Sequence, residues 1–192
     1  ILRIEDTDKE RSKKEYEENI IQGLRWLGLN WNEGPDTPEG EYGPYRQSER
    51  TDHYKKYLIK LLEEGKAYYC FCTKEELEAE RTAMLAEGIA PRYRGHCRNL
   101  TEEEVQQRLK KGMTSVIRFK TPEIKIAFHD MVRCTVEFDM SLVGDMVIAK
   151  DLETALYNFA VTIDDHEMAI THVIRGEDHI ANTPKQIAIQ HA

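Results

Sequence analysis

Two short apolar runs, each ending in acids, stand at opposite ends of this chain, and they narrow its fold more than any other feature. Leu2-Arg3-Ile4 stops at Glu5-Asp6-Thr7-Asp8, and His172-Val173-Ile174-Arg175 stops at Gly176-Glu177-Asp178. Both read as strands, the second one buried, with polar groups at the carboxyl edge where open α/β sheets take ligands. A helix follows the first run, because Tyr16, Ile20, Leu24 and Leu27 recur on one helical face before Gly28 and Asn30. Gly34, Gly40 and Gly43 with Pro35, Pro38 and Pro44 mark a loop over 33–44. A second helix from about Glu49 buries Tyr54, Leu58 and Leu61 and ends at Gly65.

The texture changes near residue 67. Ala67 to Cys72 is aromatic and β-prone, and two capping boxes, Thr73 with Glu76 and Thr101 with Glu104, open short charged helices. Residues 115–149 alternate short β-prone runs without helical period, as in Val116-Ile117-Arg118-Phe119. Helix returns from about Glu153 to Thr162, and Asn182 or Thr183 caps a last helix with Pro184 in its first turn. The expectation is an α/β domain in two parts, 1–66 and 151–192, interrupted by an α+β insert over 67–150. Ile1 stands in a strand already under way and the last residues in a helix, so a segment of a longer protein is expected.

Chemistry concentrates at four places. Arg3 and Glu5 alternate onto one side of the first strand, where they can grip a zwitterion, Glu5 its ammonium and Arg3 its carboxylate; a solvated helix-capping turn is the plainer alternative. Arg175 follows two apolar residues and needs an anion, either a substrate carboxylate shared with Tyr157 or an ion pair with Glu177 or Asp178. Cys70-x-Cys72 with Cys97 after 24 intervening residues offers three corners of a zinc tetrahedron. His96, Tyr93 or water would complete it, Asn99 being a poor ligand, and three packed thiols are the alternative. Cys134 reads as core. Lys110, Lys111, Arg118, Lys120 and Lys125, near Phe119 and Phe128, form a basic island that suits a phosphate backbone or a solvated face.

With a net charge of −8 over 192 residues, a generic nucleic-acid or anionic-membrane binder is disfavoured, though a local basic patch is not. No apolar run approaches a membrane span, and the few, closely spaced cysteines suit a reducing compartment, so a cytoplasmic protein is expected.

Leu2-Arg3-Ile4-Glu5-Asp6-Thr7-Asp8, Gln47-Ser48-Glu49-Arg50, Cys70-Phe71-Cys72, Pro91-Arg92-Tyr93 and Thr171-His172-Val173-Ile174-Arg175-Gly176-Glu177-Asp178-His179 together resemble bacterial glutamyl-tRNA synthetases, in order and nearly end to end. The resemblance implies a class I Rossmann-type catalytic domain split by an acceptor-stem-binding insert. It implies a monomer that uses ATP with magnesium, glutamate and tRNA-Glu. On it, Glu5 holds the substrate ammonium, Tyr157 and Arg175 hold the side-chain carboxylate, Arg3 belongs to the same motif, and Glu177 and Asp178 approach ATP. Lys110, Lys111 and Lys120 become candidates for tRNA contact. The family's zinc-binding members carry histidine where Asn99 stands. Its His-Ile-Gly-His and Lys-Met-Ser-Lys-Ser signatures fall outside these 192 residues. No catalytic residue is therefore assigned, and the chain alone is expected to form no adenylate at a useful rate. Two rivals remain: a glutamyl-queuosine tRNA-Asp synthetase, which the long insert disfavours, and a non-catalytic tRNA-binding fragment.

Overall fold

The computed structural model describes residues 1–8, 12–37 and 40–192, and Pro38 of the expected loop lies outside them. Helices α1 (Lys14–Trp26) and α2 (Thr51–Glu63) precede strand β1 (Ala67–Cys70), followed by α3 (Lys74–Ala86) and α4 (Glu102–Lys110). Strands β2 (Val116–Phe119), β3 (Lys125–Asp130), β4 (Cys134–Asp139), β5 (Val147–Asp151) and β6 (Thr154–Ala155) come next, then α5 (Tyr157–Glu167) and α6 (Thr183–Gln190). Among the described residues, no helix is long and apolar enough to cross a membrane.

The four-stranded sheet runs β1-β2-β5-β6 with every neighbour antiparallel, and β3 and β4 form a separate hairpin. Tyr54, Leu58 and Leu61 of α2 pack into one core with Ile117 and Phe119 of β2, Ile148 of β5, Phe159 and Ile163 of α5, and Ile189 of α6. This core joins both flanking segments to the strands between them. The α5 run from Phe159 to Asp164 is buried at every position, so it carries no polar stripe to reveal its period. Both expected capping boxes are closed: Thr73 accepts from Glu76 N at 3.2 Å while Glu76 accepts from Thr73 N at 2.8 Å, and Thr101 with Glu104 repeats the pattern.

Five expectations need correction. Leu2–Ile4 is reduced to a single parallel bridge, Ile4 to Arg46, with Ile4 N donating to Tyr45 O at 2.8 Å and Gln47 N to Ile4 O at 3.0 Å. The His172–Arg175 run is neither strand nor buried, for Ile174 is 97% exposed. A β-prone run becomes a strand only where a neighbour takes its N–H and C=O groups, and no described strand lies beside this one. The helix expected from Glu153 starts at Tyr157 instead, because Thr154 and Ala155 pair with β5, and it continues to Glu167. Cys134 is exposed at φ 62° where β4 leaves the hairpin turn, so it is no core residue. The apolar face of α1 also differs from expectation: the helix forms, but none of its residues is buried and Ile20 is 56% exposed.

Candidate active site and metal centre

Arg3, Glu5, Tyr157 and Arg175, four residues read separately from three parts of the sequence, line one cleft of about 460 Å³. Three backbone elements bring them there. The chain at 3–5 is held by its bridge to Arg46, and by Asp6, which accepts from Ser48 N at 2.8 Å and Ser48 Oγ at 2.6 Å. Tyr157 is the first residue of α5. Arg175 lies ahead of the 3-10 turn Glu177–Asn182 and donates from Nη2 to Thr183 Oγ1 at 2.5 Å, at the start of α6.

Charged groups of both signs line the cleft. Arg3 Nη2 donates to Glu5 at 3.0 Å and Nη1 to Asp165, a further lining residue, at 2.8 Å. Burial alone would lower the Arg3 pKa, but the hydrogen bonds to Asp165 and Glu5 more than offset it and hold the group above its ordinary value. Arg3 is thus already committed to carboxylates. Arg175 and Tyr157 both line the cleft: burial, then the Glu5 carboxylate, push the Tyr157 phenol up, and the nearby guanidinium of Arg175 pulls it partly back. The cleft therefore offers an acid, Glu5, 38% exposed at its side chain, and a paired guanidinium and phenol that can receive an anion. Glu177 and Asp178 do not line it. Glu177 pairs with Arg133 from the β3–β4 hairpin, and Asp178 lies 3.6 Å from His179.

A second constellation lies at the end of β1. The ligand atoms of Cys70, Cys72 and Cys97 all fall within 4.8 Å of one another, with Cys72 and Cys97 sulfurs 3.7 Å apart. Two thiolates bound to one tetrahedral zinc at about 2.3 Å would stand about 3.8 Å apart, so the donor set fits that ion. The Tyr93 hydroxyl occupies the remaining side, 3.3 Å from Cys70 Sγ and 3.5 Å from Cys72 Sγ. His96 instead turns to Glu80 at 2.9 Å and is largely exposed. Burial pushes the Cys72 thiol up to about 12, with the neighbouring Cys70 and Cys97 adding to the rise. At Cys70 burial works in the same direction, yet hydrogen bonds with Tyr93 and the Arg118 guanidinium bring its pKa below the ordinary value.

The structure disperses the basic island. Arg118 is buried, stacks 3.9 Å from the centroid of Tyr93 and donates to Asp145 O at 2.7 Å. Lys125 pairs with Glu137 across the hairpin at 2.8 Å. Lys110 and Lys111 are exposed at the end of α4, whereas Lys120 lies beyond β2 with its ammonium over the Tyr68 ring.

Sequence reasoning missed Asp165, Thr183 and the buried cluster behind them. Asp164 is fully buried and accepts from Arg50 Nε at 2.7 Å, Gln47 Nε2 at 2.8 Å and Tyr54 OH at 2.9 Å. Glu167 accepts from Arg50 Nη2 at 2.6 Å and lies 2.8 Å from His53 Nδ1. A signal was available: three acids, Asp164, Asp165 and Glu167, crowd the last turn of a helix, where the helix's own carbonyl ends already repel negative charge. Such a turn requires cations from elsewhere.

Comparison with known proteins agrees with this geometry. All of residues 1–192 match the family described as tRNA synthetases class I (E and Q), catalytic domain. The chain is 57% identical over 192 residues to the glutamate–tRNA ligase of Sulfurihydrogenibium sp., and 56% identical over 193 residues to glutamate–tRNA ligase 1 of Caldicellulosiruptor saccharolyticus. It covers 40% of the length of each. A crystal structure of a glutamate tRNA ligase from Elizabethkingia meningosepticum, in complex with its amino acid, superposes with a TM-score of 0.89 at 38% identity, over 99% of this chain and 39% of that one. A match along the whole chain, at this identity and with the same α/β architecture, means that the chain belongs to the catalytic-domain family of class I tRNA synthetases for E and Q.

Proposed function

We propose that this chain forms the glutamate-recognising part of a glutamate–tRNA ligase. The observation that carries the reading is the convergence of Arg3, Glu5, Tyr157 and Arg175, an acid, a phenol and two guanidinium groups, on one cleft. Glu5 takes the ammonium of glutamate; Arg175 and Tyr157 take the side-chain carboxylate; Arg3 supports Glu5. In the whole ligase glutamate would then condense with ATP to glutamyl-adenylate and pyrophosphate, where magnesium would supply charge screening at the phosphates, before transfer to the terminal adenosine of tRNA-Glu. That chemistry depends on positioning and charge stabilisation more than on a covalent enzyme intermediate. In this reading Glu177 and Asp178, beside the cleft, face ATP, and residues 67–150, with Lys110 and Lys111 exposed and Lys120 beyond β2, meet the acceptor stem.

Selectivity follows from the guanidinium. An amide in place of the carboxylate leaves Arg175 with an unpaired charge, a larger penalty than any loss of contact area. Calorimetric titration is expected to give saturable binding of L-glutamate and at least about tenfold weaker binding of L-glutamine. Equal affinity for the two, or no binding of glutamate, overturns the reading.

We further propose zinc at Cys70, Cys72 and Cys97 with Tyr93 as the fourth group, the ion supplying a structural cross-link between β1 and the 93–97 loop. Protein purified without chelator is expected to carry about one equivalent of zinc, lost in the Cys72→Ser/Cys97→Ser variant. Less than about half an equivalent in the unaltered protein argues for three packed thiols instead.

A further inference from the structure

The last turn of α5 divides its acids between two tasks. Asp164 and Glu167 answer Arg50 in the interior, whereas Asp165 faces the cleft and takes one arm of Arg3. A guanidinium and a carboxylate left to themselves close into a bidentate pair, both oxygens occupied. Here that closure does not occur. Arg3 gives Nη1 to Asp165 at 2.8 Å and only Nη2 to Glu5, at 3.0 Å, while its Nε is turned toward Asp164, 3.8 Å away. Glu5 therefore accepts through Oε1, and Oε2 accepts no hydrogen bond among the described residues.

We propose that Asp165 is a positioning residue for ammonium recognition: by holding one arm of Arg3, it keeps Glu5 an open carboxylate directed at the cleft. The proposal rests on the reading of this cleft as a glutamate site, with Glu5 as the ammonium acceptor. Without Asp165, Arg3 swings onto Glu5 and closes the pair, and the acid that should meet the ammonium is neutralised by the protein itself. The loss falls on the α-amino group alone, because Arg175 and Tyr157 reach the other end of the ligand from α5 and the 175–183 segment.

The test compares L-glutamate with glutarate, which keeps both carboxylates and lacks the ammonium. In the unaltered protein glutamate is expected to bind more tightly, and Asp165→Ala is expected to shrink that preference about tenfold or more, with Asp165→Glu restoring most of it. The ratio of the two affinities discriminates, since a general loosening of the fold weakens both ligands together. If Asp165→Ala does not fold, Asp165→Leu carries the test, because it keeps much of the volume while removing both the charge and the acceptor that hold Arg3, and it too should lower the ratio. A folded Asp165→Ala or Asp165→Leu protein that keeps the original ratio overturns the role of Asp165 and leaves the glutamate site standing. Failure of the unaltered protein to bind glutamate overturns both.

Discussion

Asp164→Ala is expected to lower the stability of this chain by about 3–5 kcal/mol, the magnitude for removing one partner of a buried ion pair. Both members are out of water: Asp164 has no exposed surface and Arg50 is 1% exposed. The carboxylate receives Arg50, Gln47 and Tyr54 at 2.7–3.0 Å, so its removal strands donors from the 47–54 segment at once. Arg50 keeps Glu167 and the carbonyls of Tyr42 and Pro44, which hold the guanidinium in place and, through the Glu167 carboxylate, offset part of its charge, so the cost falls toward the lower end of that range. Urea unfolding measures the loss directly, and the thermal midpoint should fall by about 10 °C for a chain of this size. A cost under about 1 kcal/mol would mean that water reaches Arg50 in the variant.

A double variant separates pairing from burial. Asp164→Leu with Arg50→Met removes both charges and keeps the volume, so it should recover the part of the loss that comes from the unpaired guanidinium, but not the part that comes from the stranded Gln47 and Tyr54 donors. The pair is then a device that registers α2 against α5, and its net contribution to stability is small. Registry matters here because Tyr157 and Asp165 of α5 both face the cleft.

How far the sequence could be read follows the same division between local and non-local causes. The capping boxes at Thr73 and Thr101 were legible because cap and partner lie three residues apart and satisfy each other without help. The α2 face of Tyr54, Leu58 and Leu61 was legible because it is buried on one side only. His172–Arg175 misled because its composition is that of a strand, while its pairing depends on neighbours that composition does not name. The start of α5 was misjudged for the converse reason: Thr154 and Ala155 are claimed by β5, a contact written in register and not in the run itself. At the site, Arg3 with Glu5 and Tyr157 with Arg175 could be singled out as two pairs from their residue types and spacing. That the pairs meet at one ligand followed only from the family resemblance, since local pattern says nothing of residues 172 positions apart. Tyr93 was one of three candidates for the fourth metal corner, and the distances of its hydroxyl from the Cys70 and Cys72 sulfurs, with the turn of His96 toward Glu80, favour it.

Arg175→Gln is expected to weaken L-glutamate binding on the order of 100-fold, corresponding to the loss of a hydrogen-bonded charge pair of about 2–3 kcal/mol. The choice of glutamine as the replacement matters. It keeps much of the stem that fills the cleft wall and a group able to reach Thr183, which now accepts from Arg175 Nη2 at 2.5 Å, while it deletes the positive charge. If the guanidinium acts on the ligand, the loss falls on glutamate and hardly at all on glutamine, so the discrimination between them collapses toward unity. If Arg175 serves only to tie the 175 segment to α6, the two ligands lose affinity together and the thermal midpoint drops with them. Arg175→Lys sharpens the contrast: it retains charge without the planar fork, so it should recover part of the affinity for glutamate and most of its preference over glutamine. Neutral glutamine gains nothing from a cation in that corner. A variant that binds both amino acids equally, in a protein as stable as the original, is therefore the signature of a specificity residue, and it is what the presence of Arg175 and Tyr157 in one cleft with Glu5 leads one to expect.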